Sequence, residues 1–143
     1  FDIVFTSYGV LCWLPNLTDW AKTIFGALKA GGEFHLVEFH PMNDFLSGYG
    51  YFPKKEPDLE EEGTYTENCD GTTSAMATWP HSISEVITAL ISAGLTIESF
   101  SEHPYSPYNC FDGLEFVPNQ GYQLLHNGHQ VPLLYAIKAR KIG

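Results

Sequence analysis

Positive charge is scarce in this chain: seven Lys and Arg stand against seventeen Asp and Glu, a formal net charge of −10. Nucleic acids are held chiefly by cationic side chains, so no nucleic acid is expected as the main partner of these residues. Cysteine is scarce as well. Cys12, Cys69 and Cys110 are odd in number and far apart, with no Cys-x-x-Cys pair. Neither a disulfide framework nor a metal site is indicated, and a reducing cytoplasm is the expected compartment. No apolar run reaches the roughly 20 residues of a membrane-spanning helix, and no signal peptide is visible, so no membrane partner is expected. A glycine-rich turn between a strand and a helix is also missing. Gly48 and Gly50 are the nearest pair, and they follow no strand-turn-helix pattern.

What is present is the composition of a folded domain. The 143 residues are 44% hydrophobic and 17% charged, which suits one globular unit rather than a disordered segment. Aromatic residues make up 15%, enough to line a small-molecule pocket as well as a core.

Asp2 to Thr6, within Phe1-Asp2-Ile3-Val4-Phe5-Thr6-Ser7, is a short run of apolar and β-branched residues and reads as a strand buried on both faces. The chain enters this buried-looking strand at once from Phe1 rather than Met, so residues preceding it are expected. Asn16 is placed to cap a helix, with Leu17, Trp20, Ala21, Ile24 and Leu28 along one face and Gly31-Gly32 as its stop. Phe34 to Phe39 is the next strand, made parallel to the first by a right-handed crossover. Residues 40–80 form an insertion with Pro41, Pro53 and Pro57, an acidic run Glu60-Glu61-Glu62 read as a solvated loop face, and a hairpin within 63–78 turning at Asp70-Gly71. Ser82 with Glu85 three residues on is a capping box, opening a helix with Ile83, Val86, Ile87, Leu90 and Ile91 as its apolar stripe. Gly94 ends it. Leu95 to Phe100 is a third strand parallel to the second, 102–130 a long loop, and Leu133 to Arg140 a last strand.

Several of these segments resemble the second half of the class I S-adenosylmethionine-dependent methyltransferases, in which a seven-stranded sheet ends with a strand antiparallel to the rest. Residues 1–15 look like the family's fourth strand and the loop after it. Leu28-Lys29-Ala30-Gly31-Gly32 looks like its usual Leu-Lys-Pro-Gly-Gly turn, with Ala30 in place of the Pro. Glu38-Phe39-His40-Pro41, Trp79-Pro80-His81-Ser82, Ala93-Gly94-Leu95 and Glu102-His103-Pro104-Tyr105 are similar to a bacterial subgroup. The resemblance implies an α/β, Rossmann-like three-layer sandwich. Residues 1–143 would be the C-terminal part of one domain, with a lid-like insertion at about 40–80. The family's glycine loop and ribose-binding acid do not occur in the chain.

In an open parallel sheet, ligands sit beyond the carboxyl ends of the strands. The three strand ends, near Ser7, Phe39 and Ser101, fall on one edge, where the long loops must crowd. The resemblance implies S-adenosyl-L-methionine as cofactor, with Ser7, Tyr8, Gly9, Val10 and Leu11 passing under its methionine part. Transfer of a methyl group from a sulfonium needs alignment and exclusion of water, and a cation is suited by aromatic faces and carbonyl oxygens. Glu38, His40, Tyr49, Tyr51, Trp79 and His81 are the acceptor-side candidates. His40, just past a strand end, either takes a proton from the acceptor or is hydrogen-bonded within its loop. His81 is either a substrate contact or a helix-entry residue, and Trp79 and the two tyrosines are either substrate contacts or plugs beneath the insertion. No Pro-Cys motif surrounds Cys12, which argues against a nucleophile there.

The Asn/Asp-Pro-Pro-Tyr/Phe motif of enzymes methylating exocyclic or amide nitrogen is absent after the first strand, where Thr6-Ser7-Tyr8-Gly9 stands. A small-molecule methyl acceptor is therefore expected, with a homodimer as a possibility through an exposed sheet edge. Two other readings stay open at this point. A Rossmann-type oxidoreductase requires the sheet to continue in parallel. A non-catalytic methyltransferase-like module requires that the cofactor not bind.

Overall fold

The computed structural model describes residues 1–63 and 73–143. β1 (Ile3–Thr6) leads through a short loop and a single 3-10 turn (Leu11–Trp13) into α1 (Leu17–Ala27) and then β2 (Glu33–Phe39). α2 (Pro41–Leu46) follows, then β3 (Asp58–Gly63) and β4 (Thr73–Thr78), α3 (Ile83–Ser92) and β5 (Leu95–His103). β6 (Tyr105–Ser106), β7 (Glu115–Val117), β8 (Gly121–Gln123), β9 (Leu125–His126) and β10 (His129–Gln130) are short, and β11 (Leu134–Lys141) is the last strand.

The main sheet has the order β1-β2-β11-β5. β1 and β2 are parallel, with Ile3 opposite Glu33 and Thr6 opposite Leu36. β11 runs antiparallel to both its neighbours, so β1, β2 and β5 point the same way. Leu134 at the start of β11 is level with Phe39 and with His103, which brings the ends of β2 and β5 to one edge. The third strand thus has the direction expected of it, but the final strand lies between it and the second.

The caps explain where the helices begin. The Asn16 side chain accepts from the backbone N–H groups of Thr18 and Asp19, and the Ser82 hydroxyl accepts from that of Glu85. At the end of α1, Lys141 Nζ donates to the carbonyls of Phe25 and Leu28, closing the helix against the last strand. Leu17, Ala21, Ile24 and Leu28 meet Val86 and Leu90 of α3 over Phe34, Leu36, Ile137 and Ala139 of the sheet. Fully burying each large side chain in such a core contributes about 1.5–3 kcal/mol.

Both long helices lie on the same face, because two crossovers of one hand moving the same way across a sheet return on the same side. The described residues therefore make two layers where three were expected. The opposite face carries a charged lattice: Arg140 bonds Glu33 and Glu98, and Lys138 lies 3.1 Å and 3.3 Å from the same two carboxylates. Among the described residues β1 borders the sheet, with Ile3 and Phe5 exposed and Val4 packed on the core side.

The insertion differs from its expectation in two ways. Pro41 starts a helix instead of a loop, since a proline at the first position gives up an N–H that has no helical partner. The acidic run Glu60-Glu61-Glu62 lies in β3, paired antiparallel with β4, rather than in a loop. The hairpin pairs Gly63 with Thr73, and its expected Asp70-Gly71 turn lies outside the described residues. The 102–130 stretch, expected as a loop, contains a three-stranded sheet of order β6-β8-β7 and the two-stranded ribbon β9-β10. No helix among the described residues is long and apolar enough to cross a membrane.

Candidate active site at the carboxyl edge

The loop after β1 is held from below by one side chain. Glu38, on β2, is buried, and its carboxylate accepts four backbone N–H bonds. Oε1 takes those of Gly9 at 2.6 Å and Phe39 at 2.8 Å, and Oε2 those of Val10 at 3.0 Å and Leu11 at 3.1 Å. The loop can present three successive N–H groups to one carboxylate because Gly9 is left-handed at φ 70° and Val10 right-handed at φ −97° and ψ −47°. That alternation makes a concave anion nest, and a side chain at Gly9 would be strained there. Glu38, expected on the acceptor side, is thus turned under the cofactor-loop candidates Gly9, Val10 and Leu11. Ser7, at the start of the loop, is exposed.

An aromatic cluster adjoins this loop. Tyr8 stacks on Phe39 with ring centroids 5.7 Å apart and meets Tyr108 edge-on at 5.9 Å. Phe111 packs edge-on against Phe39 at 5.0 Å. Tyr108 and Phe111 come from the segment between β6 and β7. They were missed in the sequence, although a Tyr-rich segment returning to the strand-end edge was the signal that could have found them. Burial pushes the Tyr108 hydroxyl above its ordinary range, so it stays protonated. Burial first, then the charges of Glu38 and Asp44, push the Cys12 thiol up to about 11, which makes it a poor nucleophile.

His40 follows β2 and is also buried. Its Nδ1 accepts the Met42 N–H at 3.1 Å, capping α2. A nitrogen that accepts from an amide carries no proton, so Nε2 bears it and donates to Glu102 Oε2 at 2.6 Å. Both ring nitrogens are committed, and the lone pair needed to take a proton from a substrate is already in use. Glu102, on β5, keeps a half-exposed side chain. Tyr135 on β11 stands in register between Glu38 and Glu102, edge-on to the His40 ring at 6.0 Å. Burial, and then the Glu38 charge, raise its hydroxyl well above the usual range.

His81 bonds two elements together. Its Nε2 donates to the Leu14 carbonyl at 2.7 Å, and its Nδ1 meets Glu85 Oε2 at 2.7 Å. The Glu85 carboxylate is therefore engaged with His81 rather than with the Ser82 N–H, so only the serine half of the expected capping box forms. Trp79 joins the same seam: its backbone N–H donates to the Cys12 carbonyl and its indole N–H to the Lys55 carbonyl. The Tyr51 hydroxyl accepts from the Ile83 N–H at 3.3 Å, and Tyr49 is partly exposed after α2. The structure thus brings Glu38 under the 7–11 loop and His40 against Glu102, while Trp79, His81 and Tyr51 tie the insertion and α3 to the rest of the domain.

No family model and no curated protein matches the chain at the level of sequence. Solved structures do. An S-adenosylmethionine-dependent methyltransferase from Mesorhizobium loti aligns over 98% of this chain with a TM-score of 0.54 and 15% identity. One from Methanosarcina mazei aligns over 99% with a TM-score of 0.60 and 18% identity. The glycopeptide N-methyltransferase MtfA, solved with S-adenosyl-L-methionine, aligns over the whole chain with a TM-score of 0.54 and 13% identity. The chain has the S-adenosylmethionine-dependent methyltransferase fold. It spans 61%, 59% and 55% of those three proteins, respectively, so the shared part is a little over half of each. Within this methyltransferase fold, the Glu38-bound loop and the aromatic cluster lie at the carboxyl ends of the parallel strands, the edge where open α/β sheets hold their ligands.

Proposed function

We propose that the protein is an S-adenosylmethionine-dependent methyltransferase acting on a small-molecule acceptor. The observation that carries this reading is the sheet β1-β2-β11-β5 with its antiparallel last strand, in a chain that aligns over 99% of its length with a solved methyltransferase, and a Glu38-bound loop at its carboxyl edge. An antiparallel final strand is also what the rival oxidoreductase reading does not accommodate.

When bound, the cofactor supplies a methyl group on a sulfonium centre. The donor set of the chain fits such a group: aromatic rings of Tyr8, Phe39 and Tyr108 beside a loop whose N–H groups face inward, with no Lys or Arg in the loop. Ser7 to Leu11 would carry the methionine part. Tyr49, Tyr51, Trp79 and His81 belong to the acceptor side, the last three also closing the seam around it. Where a proton must leave the acceptor, Glu102 takes it, and His40 acts as a positioning residue by holding that carboxylate through Nε2.

Calorimetric titration of the full-length protein with S-adenosyl-L-methionine tests the reading. Stoichiometric binding there, with weak or no binding by residues 1–143 alone, is the expected result. Absence of binding by the full-length protein would refute it and favour a non-catalytic module.

A further inference from the structure

We infer that Glu38 is a positioning residue that makes the 7–11 loop select a cation and reject an anion, an inference that rests on the methyltransferase reading. Three successive N–H groups in alternating left- and right-handed conformation are a ready anion site, the arrangement by which glycine-rich loops bind phosphate. Here the anion is built in. The carboxylate of Glu38 fills the nest from the sheet side, so no N–H of Gly9, Val10 or Leu11 is left for a phosphate.

The same geometry fixes what the loop offers instead. No peptide bond among the described residues is cis, so in the 7–11 loop each carbonyl points opposite to the N–H of its own peptide. With the Gly9, Val10 and Leu11 N–H groups turned toward Glu38, the carbonyls of Tyr8, Gly9 and Val10 are turned away from it. The Val10 carbonyl closes the 3-10 turn by accepting from Trp13 at 3.2 Å, and among the described residues the Gly9 carbonyl meets only the weak Cys12 thiol donor at 3.8 Å. The carbonyls of Tyr8 and Gly9 are the outward acceptors. They suit an ammonium such as that of an amino-acid moiety, next to the Tyr8 ring.

Glutamine cannot replace glutamate here. Each carboxylate oxygen takes two N–H groups, so the amide NH2 of a glutamine would face two donors with no acceptor whichever way it turned. Isothermal titration of the full-length protein and its Glu38→Gln variant with S-adenosyl-L-methionine and with adenosine tests the inference, because adenosine lacks the methionine part. Glu38→Gln should bind S-adenosyl-L-methionine at least about tenfold more weakly while adenosine affinity changes less than about twofold. Unchanged affinity for both ligands, or equal losses for both, overturns the role of Glu38 alone; a wild-type protein that binds neither overturns the methyltransferase reading with it. Should the variant not fold, amide exchange in the wild type decides. The Gly9, Val10 and Leu11 amides should exchange slowly and stay protected when S-adenosyl-L-methionine is added. Exchange at solvent-exposed rates would overturn the inference.

Discussion

His40 is the residue whose substitution separates a proton acceptor from a tie between elements. Replacing it by Ala removes three things: the cap on α2, the hydrogen bond to Glu102, and the ring packed edge-on against Tyr135. A lost side-chain cap costs about 1 kcal/mol. The bond to a carboxylate belongs near the lower end of the range of about 1.5–3 kcal/mol for charged partners, because half-exposed Glu102 regains water. The aromatic contact adds about 0.5–1.5 kcal/mol. His40→Ala should therefore destabilise the protein by about 3 kcal/mol. His40→Asn keeps an oxygen able to accept from the Met42 N–H but cannot reach Glu102, so its loss should be smaller by about 1 kcal/mol. Urea denaturation of both variants, with unchanged slope, measures the two numbers. If both variants unfold within about 0.5 kcal/mol of the wild type, the ring is not bound as described and is again available as a proton acceptor.

Gly121, at φ 119°, stands where an added Cβ would collide with the Ser106 carbonyl oxygen, so Gly121→Ala must push β8 away from β6. Hydrogen exchange should show the small sheet losing at least about 2 kcal/mol of protection around Tyr122 with Leu36 and Ile137 unaffected; unaltered protection at Tyr122 would contradict this. Hydrogen bonds from Lys138 above all, then His35 and Arg140, lower the Glu33 carboxyl from its ordinary 4.5 to about 2. A carboxylate with a depressed folded-state pKa stabilises fully above its ordinary value, and that contribution fades as the pH falls from 4.5 toward 2. Carbon-detected NMR should show Glu33 titrating near the lower end of that window and Lys138→Met moving the midpoint upward, whereas a wild-type midpoint near 4.5 would dispose of the lattice.

The elements legible in the sequence were those with enough length to show a period. α1 and α3 carry an apolar stripe over 11 and 10 residues, and Asn16 and Ser82 marked their starts. β2 and β11 were readable because each buries alternate residues along much of its length. β6 to β10 span two or three residues each, too short for any alternation to register, and their pairing is set by contacts such as Gly121 under Ser106. α2 is six residues starting at a proline, which reads as a loop until His40 is seen capping it. β1 was readable as a strand from its run of apolar and β-branched residues, and in the described residues it pairs on one side only, with β2.

The candidate residues were legible as types in the sequence, but their partners were not, for one reason. Glu38, His40 and His81 could be picked out as polar residues near strand or helix ends, but a polar side chain is defined by its partner, and the partners lie far off in sequence. The Glu38 carboxylate meets N–H groups 27 to 29 residues earlier, His40 meets a carboxylate 62 residues later, and His81 meets a carbonyl 67 residues earlier. Each of the three side chains is satisfied by such a contact, and a satisfied group is not free to do the chemistry its type suggests. On the function proposed above, chemistry at this edge would fall to what those ties leave free: the Tyr8 and Gly9 carbonyls, the aromatic rings beside them, and the half-exposed Glu102 carboxylate that His40 holds.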